Sequence, residues 1–183
     1  MSTTIIQKRR AVSPVIATVI LIAVAVALGI AVAFWASGLT SSFSKYEKLG
    51  VSTQYAVSET STTACSTYTT TNPCWQINLG GQNTGSSDAT ITQIQINGVP
   101  YIFGKITGSG LSASTTSGSY TLPSSGSTLA MSVKSGQSFQ ISLLIDAAGA
   151  PTGNAKTFAS GQTIQVTIIT AAGNNYPASI VLP

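Results

Sequence analysis

The sequence predicts an α+β chain: one long N-terminal hydrophobic α-helix, followed by an antiparallel β-sandwich head of immunoglobulin-like character. Three observations carry this. Residues Ala11 to Ser44 hold no charged side chain, and Val19–Trp35 is apolar apart from Gly29. After Gly50 the apolar period changes to two, the period of half-buried strands. Gly, Asn, Pro and Ser clusters then punctuate short apolar runs, as in an all-β domain. The boundaries read from these shifts are a basic leader at 1–10, a helix at 11–49 and a head at 50–183.

The helix is justified by length. Ala11–Trp35 is 25 residues, and about 20 apolar residues span the hydrocarbon core of a bilayer. The run is longer than the apolar part of a cleaved secretory signal, about 7–15 residues, although small residues occur at Ala36–Ser37. Lys8, Arg9 and Arg10 precede it with no acid before them, which places the N-terminus in the cytoplasm and the bulk of the chain outside. Within the run Ala23, Ala27 and Ala31 recur every fourth residue, as do Ala25, Gly29, Ala33 and Ser37. Such small-residue stripes let other helices approach closely, so the helix reads as built to pack against copies of itself. The helix is expected to continue through Ser41–Leu49 to a cap at Gly50. Its 36 residues from Pro14 would span about 54 Å.

These N-terminal residues carry a family resemblance. Lys8-Arg9-Arg10, then Ala11-Val12-Ser13-Pro14-Val15-Ile16 and a long apolar helix, resemble an archaeal type IV pilin precursor, a family related to the archaellins. The resemblance covers roughly residues 7–45. It implies a class III signal peptide cut by a prepilin peptidase between Arg10 and Ala11, with Lys8, Arg9, Arg10 and Ala11 forming the cleavage site. It also implies Pro14 in the first helical turn, where its missing N–H costs little. The Ser-Pro-Val start is closer to archaeal pilins than to archaellins. Bacterial type IV pilins usually carry Glu five residues into the mature chain, and here that position is Val15, so no step that pairs such a Glu is carried over.

The strands follow in order. Val51, Thr53, Tyr55 and Val57 alternate; so do Trp75, Ile77 and Leu79. Leu129, Met131 and Val133; Phe139, Ile141, Leu143 and Ile145; and Ile164, Val166 and Ile168 repeat the pattern. Ile94–Ile96 and Val99–Phe103 flank Asn97-Gly98, a hairpin signal, and Ala171–Asn175 can return the last long strand to Ala178–Leu182. Roughly seven or eight strands result, with a closed barrel as the alternative architecture. Thr60–Thr71 and Ser109–Ser127 are nearly all Ser, Thr and Gly; they read as disordered or as long surface loops, and their hydroxyl density fits O-glycosylation. Cys65 and Cys74 are the two cysteines of an exported chain, which favours a disulfide.

Composition excludes much chemistry. The chain has no His and four carboxylates (Glu47, Glu59, Asp88, Asp146), so no imidazole base, paired acid site or metal cage is expected. Serine and threonine are abundant, but no base is placed to activate one. Gly80-Gly81 and the Gly108/Gly110 pair lack the context of a phosphate loop. Trp75 reads as core or loop packing, with a sugar platform as the lesser alternative. No enzyme activity, cofactor or metal is expected. Beyond the leader five Lys face four acids, leaving no basic patch for nucleic acid.

The function these readings and the resemblance imply is that of a structural subunit: a homopolymer on the cell surface, with helices in the core and β-heads outside, used for adhesion. The precursor would wait in the cytoplasmic membrane, and the family implies a pilus assembly ATPase and a membrane platform protein as partners. Two rivals are a motility filament subunit of the archaellin kind, separable by motor dependence, and a single-pass anchored binding domain, which would stay monomeric in lipid. With so few carboxylates, protonation linkage can alter stability little as pH falls. Far-ultraviolet circular dichroism of the assembled protein is expected to be unchanged from neutral pH to about pH 2.

Overall fold

The computed structural model describes residues 13–43, 45–66, 73–106, 108–149 and 157–183. They form α1 (Pro14–Phe43) and ten strands: β1 (Leu49–Glu59), β2 (Cys74–Asn83), β3 (Ala89–Ile96), β4 (Val99–Pro100), β5 (Ser112–Thr115), β6 (Gly118–Tyr120), β7 (Met131–Val133), β8 (Ser138–Asp146), β9 (Thr163–Thr170) and β10 (Asn175–Val181). The chain divides into two compact units, Met1–Ser44 and Lys45–Pro183.

The helix ends at Phe43, not at Leu49 as expected, and Gly50 lies inside β1 rather than capping a helix. The intervening segment finds better backbone partners in the β unit. The Tyr46 carbonyl accepts from the Ser86 and Ser87 N–H groups at 3.0 and 3.2 Å, and the Lys48 carbonyl accepts from Thr84 N–H at 2.8 Å. Continuing the helix through these residues would forfeit those bonds.

The β unit has two antiparallel sheets, ordered β1-β2-β8-β5-β6 and β10-β9-β3-β4, with β7 paired to β3. Period-two alternation aims Trp75, Ile77 and Leu79 of β2 and Ile141, Leu143 and Ile145 of β8 into one buried cluster. Ile94 and Ile96 of β3 and Ile164, Val166 and Ile168 of β9 enter the same cluster from the other sheet. A core shared by two sheets is a sandwich. The hairpin at Asn97-Gly98 is present, with φ of 51° and 80°, the positive values that a two-residue hairpin turn requires.

Two bulges alter the alternation. In β3 the register shifts between Ile91 and Gln93, so Ala89 and Ile91 on one side and Ile94 and Ile96 on the other all reach the core. In β1 the shift lies between Val51 and Thr53. Leu49 is buried, but Thr53, Tyr55 and Val57 fall on the outer face. Alternation alone makes those three residues half-buried; one extra residue reverses the strand's phase.

Part of the Ser109–Ser127 stretch is ordered as the β5–β6 hairpin, whose β5 pairs with β8 (Ser112 opposite Ser142, Thr115 opposite Phe139). Hydroxyl-rich sequence is here held by backbone pairing on a preformed strand. Of Thr60–Thr71, the part 67–71 lies outside the described residues.

Beyond Ser142, β8 has no strand partner on its β5 side, and a side chain replaces one. The buried Tyr101 hydroxyl donates to the Leu144 carbonyl at 2.9 Å and accepts from Leu144 N–H at 3.3 Å. Its ring packs edge-on to Phe103, with centroids 5.1 Å apart. Burial pushes its pKa well above the ordinary tyrosine range, outweighing the opposing effect of the bond to Leu144. The folded state therefore retains a proton that the unfolded state releases. Stability is intact below about pH 10 and falls as pH rises above it. Tyr101→Phe orphans two buried backbone groups and is expected to cost about 1–3 kcal/mol in urea unfolding at neutral pH. The same variant should lack the alkaline loss.

Candidate functional site

The region with functional character is α1. Ser13 opens it: its carbonyl accepts from Ile16 and Ala17 N–H groups at 2.9 and 3.2 Å, and Pro14 takes the first helical position, where no N–H is needed. Over Pro14–Thr40, 27 residues, the helix is long and apolar enough to cross a membrane. At about 1.5 Å per residue this is about 40 Å, above a hydrocarbon thickness of about 30 Å. The two threonines in this span turn their hydroxyls back on the helix: Thr18 donates to the Val15 carbonyl and Thr40 to the Ala36 carbonyl, both at 2.9 Å. Neither needs an outside partner in an apolar environment.

The helix side chains are exposed in the single chain, Phe34 and Trp35 at 75% and 69%. Ala23, Ala25, Ala27, Gly29, Ala31 and Ala33 all lie in α1. At about 100° per residue, Ala23, Ala27 and Ala31 occupy one face and Ala25, Gly29 and Ala33 a broadly opposite one. A Cβ added at Gly29 would meet nothing within 4 Å. The leader residues Lys8, Arg9, Arg10 and Ala11 lie outside the described residues.

Immediately after the helix, three residues of the 45–48 segment are tied to the β unit, which sequence reasoning missed. The Glu47 carboxylate accepts from Thr170 Oγ1 at 2.9 Å and from Asn174 Nδ2 at 3.5 Å, and Tyr176 Oη donates to the Glu47 carbonyl at 3.4 Å. A single acid after a helix carries no sequence signal that its partners lie more than 120 residues later.

Cys65 and Cys74 form the expected disulfide, S–S 2.05 Å. Both are fully buried with Ile106 and Leu144 in a small second core. The bridge pins the loop at 61–66 to the start of β2. The 108–110 loop covers it, with Ser109 N–H donating to the Thr63 carbonyl at 3.1 Å. Trp75 is 1% exposed and its indole N–H donates to the Pro183 carbonyl at 3.1 Å. It is core, and the sugar-platform alternative is withdrawn.

A groove of about 370 Å³ lies beside the β5–β6 hairpin, lined by Ile106, Leu111, Tyr120, Leu122, Pro123 and small residues. Among the described residues its lining carries no carboxylate, amine or thiol. Among the described residues no three His, Cys, Asp or Glu side chains come together as metal ligands would.

No protein-family model matches the chain, and no curated protein matches it. Among solved structures it is similar to one described as the Iho670 flagellar-like filament, at 16% identity over 93% of this chain and 98% of that one, with a TM-score of 0.39. At that score the likeness carries no inference about what this chain does.

Replacing Cys65 and Cys74 together by Ser is expected to lower unfolding free energy by about 2.5–3 kcal/mol on the chain-entropy model. Guanidinium titration of the oxidised protein and the variant measures it.

Proposed function

We propose that this chain is the repeating subunit of an extracellular filament of the archaeal type IV pilus kind. α1 is the assembly element and the β unit is the outward head. The observation that supports this most is the exposed apolar surface along the 27 residues Pro14–Thr40, attached to a β unit that has already closed its own core. Water cannot be the working environment of such a surface. Lipid suits it as a precursor, and the helices of other copies suit it after assembly.

Small residues separate these two destinations. Lipid contact requires only apolar bulk, whereas close helix approach requires small residues on the approached face. Stripes on broadly opposite faces suit a helix with neighbours on both sides. Gly29 costs an isolated helix about 1 kcal/mol relative to Ala, and among the described residues a Cβ there would meet nothing within 4 Å. A neighbour's helix at that position would account for it.

Removal of Met1–Arg10 by a prepilin peptidase belongs to the same reading. Three cations tether the precursor to the cytoplasmic face and cannot enter an apolar filament core without a large desolvation cost. The transfer from lipid to filament is then apolar to apolar, so helix packing and head contacts supply the preference. An assembly ATPase and a platform protein would drive it. The role is structural and non-catalytic, and adhesion is the function that the N-terminal resemblance favours.

The test is N-terminal sequencing and sedimentation of extracellular material. Chains beginning at Ala11 in pelletable filaments are the expected result. Gly29→Leu should reduce pelletable material at least about tenfold, while Val26→Leu leaves it unchanged. An intact N-terminus confined to the membrane fraction would overturn the proposal.

A further inference from the structure

The chain enters the β unit through residues 45–48, which belong to no strand. Two separate parts of that unit hold them. One is the β2–β3 connection, which carries the chain from one sheet to the other. The Tyr46 and Lys48 carbonyls accept from its N–H groups at 84, 86 and 87, and Tyr46 N–H donates to Ser86 Oγ at 3.1 Å. The other is the β9–β10 turn of the second sheet. There Thr170 and Asn174 donate to the Glu47 carboxylate and Tyr176 to the Glu47 carbonyl. Alternate residues of one short segment are thereby fixed to two distant connections.

The receiving surface is shaped for this segment. The backbone angle at Gly85 is not one of the positive ones that favour glycine. Yet a Cβ there would lie 2.5 Å from the Tyr46 carbonyl oxygen and 2.6 Å from the Lys48 nitrogen. Glycine is needed at 85 so that the backbone of 45–48 can lie against it. Asn83, fully buried, fixes the same connection: its Nδ2 donates to the Ser87 and Val133 carbonyls and its Oδ1 accepts from Gly85 N–H, each at 2.9 Å. Ser135 Oγ donates to the Gly85 carbonyl at 2.6 Å. A flexible tether between two units requires no such socket.

Beyond the segment lies β1, an edge strand paired with β2 alone. Without the bonds of 45–48, a pull from the helix side would peel β1 from Leu49 onward, one ladder bond after another. With them, bonds to both connections must part before peeling begins.

We infer that residues 45–48, seated on Gly85 and held through Glu47 by Thr170 and Asn174, are a load-bearing clasp. Tension between the helix and the β unit is taken up by both sheets instead of unzipping β1. The inference rests on the filament reading, in which α1 is held in the core while a head that grips a surface is pulled against it. It adds where in the chain that pull is resisted.

The experiment pulls single full-length chains in detergent at constant force, with the Cys65–Cys74 bridge oxidised. Handles at Ser37→Cys and Ser119→Cys load the clasp. Handles at Ser119→Cys and Thr163→Cys bypass residues 45–48, 84–87 and 170–176. All three positions are exposed. On the first pair, Glu47→Ala and Gly85→Ala should each speed unfolding at least about tenfold. On the second pair, both should leave the rate within about twofold. Glu47→Gln, whose amide oxygen still accepts, should keep the slow rate on the first pair. Unchanged rates for the Ala variants on the first pair would overturn the clasp and leave the filament reading intact, because pulling needs no assembly. Equal acceleration on both pairs would also overturn it, since the bonds would then contribute to general stability alone. Failure of the unsubstituted chain to sediment as filaments would remove the load itself, and this inference with that reading.

Discussion

A long apolar helix whose side chains from Val15 to Trp35 are exposed among the described residues is the constraint on which this molecule turns. Burying hydrocarbon is favourable by roughly 25 cal/mol per Å², and α1 leaves side chains from Val15 to Trp35 without that gain. The β unit closes its own core without α1: Ile77 and Leu79 of β2, Ile141 of β8 and Val166 of β9 are all buried in one cluster. The two units therefore differ: the β unit buries its apolar residues on folding, whereas the described apolar side chains of α1 stay exposed.

Between them lies a short segment whose backbone belongs to the β unit. Tyr46, Glu47 and Lys48 each bond to residues distant in sequence, at 84–87 and at 170–176. The strand that follows, β1, is the long edge strand of its sheet and pairs with β2.

The β unit is held less by charge than by the satisfaction of backbone groups where strands run out. Tyr101 completes the edge of β8 with both hydrogen-bonding roles of one hydroxyl. Asn83, fully buried, donates to the Ser87 and Val133 carbonyls and accepts from Gly85 N–H. Asn97 accepts from Gln165 N–H as it turns the β3–β4 hairpin. A chain that is 7% charged uses neutral side chains for such tasks, which is consistent with the small pH dependence expected in acid.

Elements with a local signal are legible in the chain as written. The apolar run dictates α1, because an uncharged segment of that length has no other way to satisfy its backbone away from water. Alternation dictates β2, β8 and β9, because one face of each must be buried. Asn97-Gly98 dictates its turn through positive φ. The two cysteines point to their bridge, given an exported chain. Whatever depends on a partner far along the chain emerges only on folding. The helix stops at Phe43 because residues 84–87 compete for the backbone beyond it. Ser112–Tyr120 become strands because β8 is there to pair with them. Tyr55 and Val57 face outward because one extra residue in β1 is absorbed as a bulge against β2. A composition rule cannot register a phase shift of one residue, yet that shift decides whether those side chains join the core or face outward.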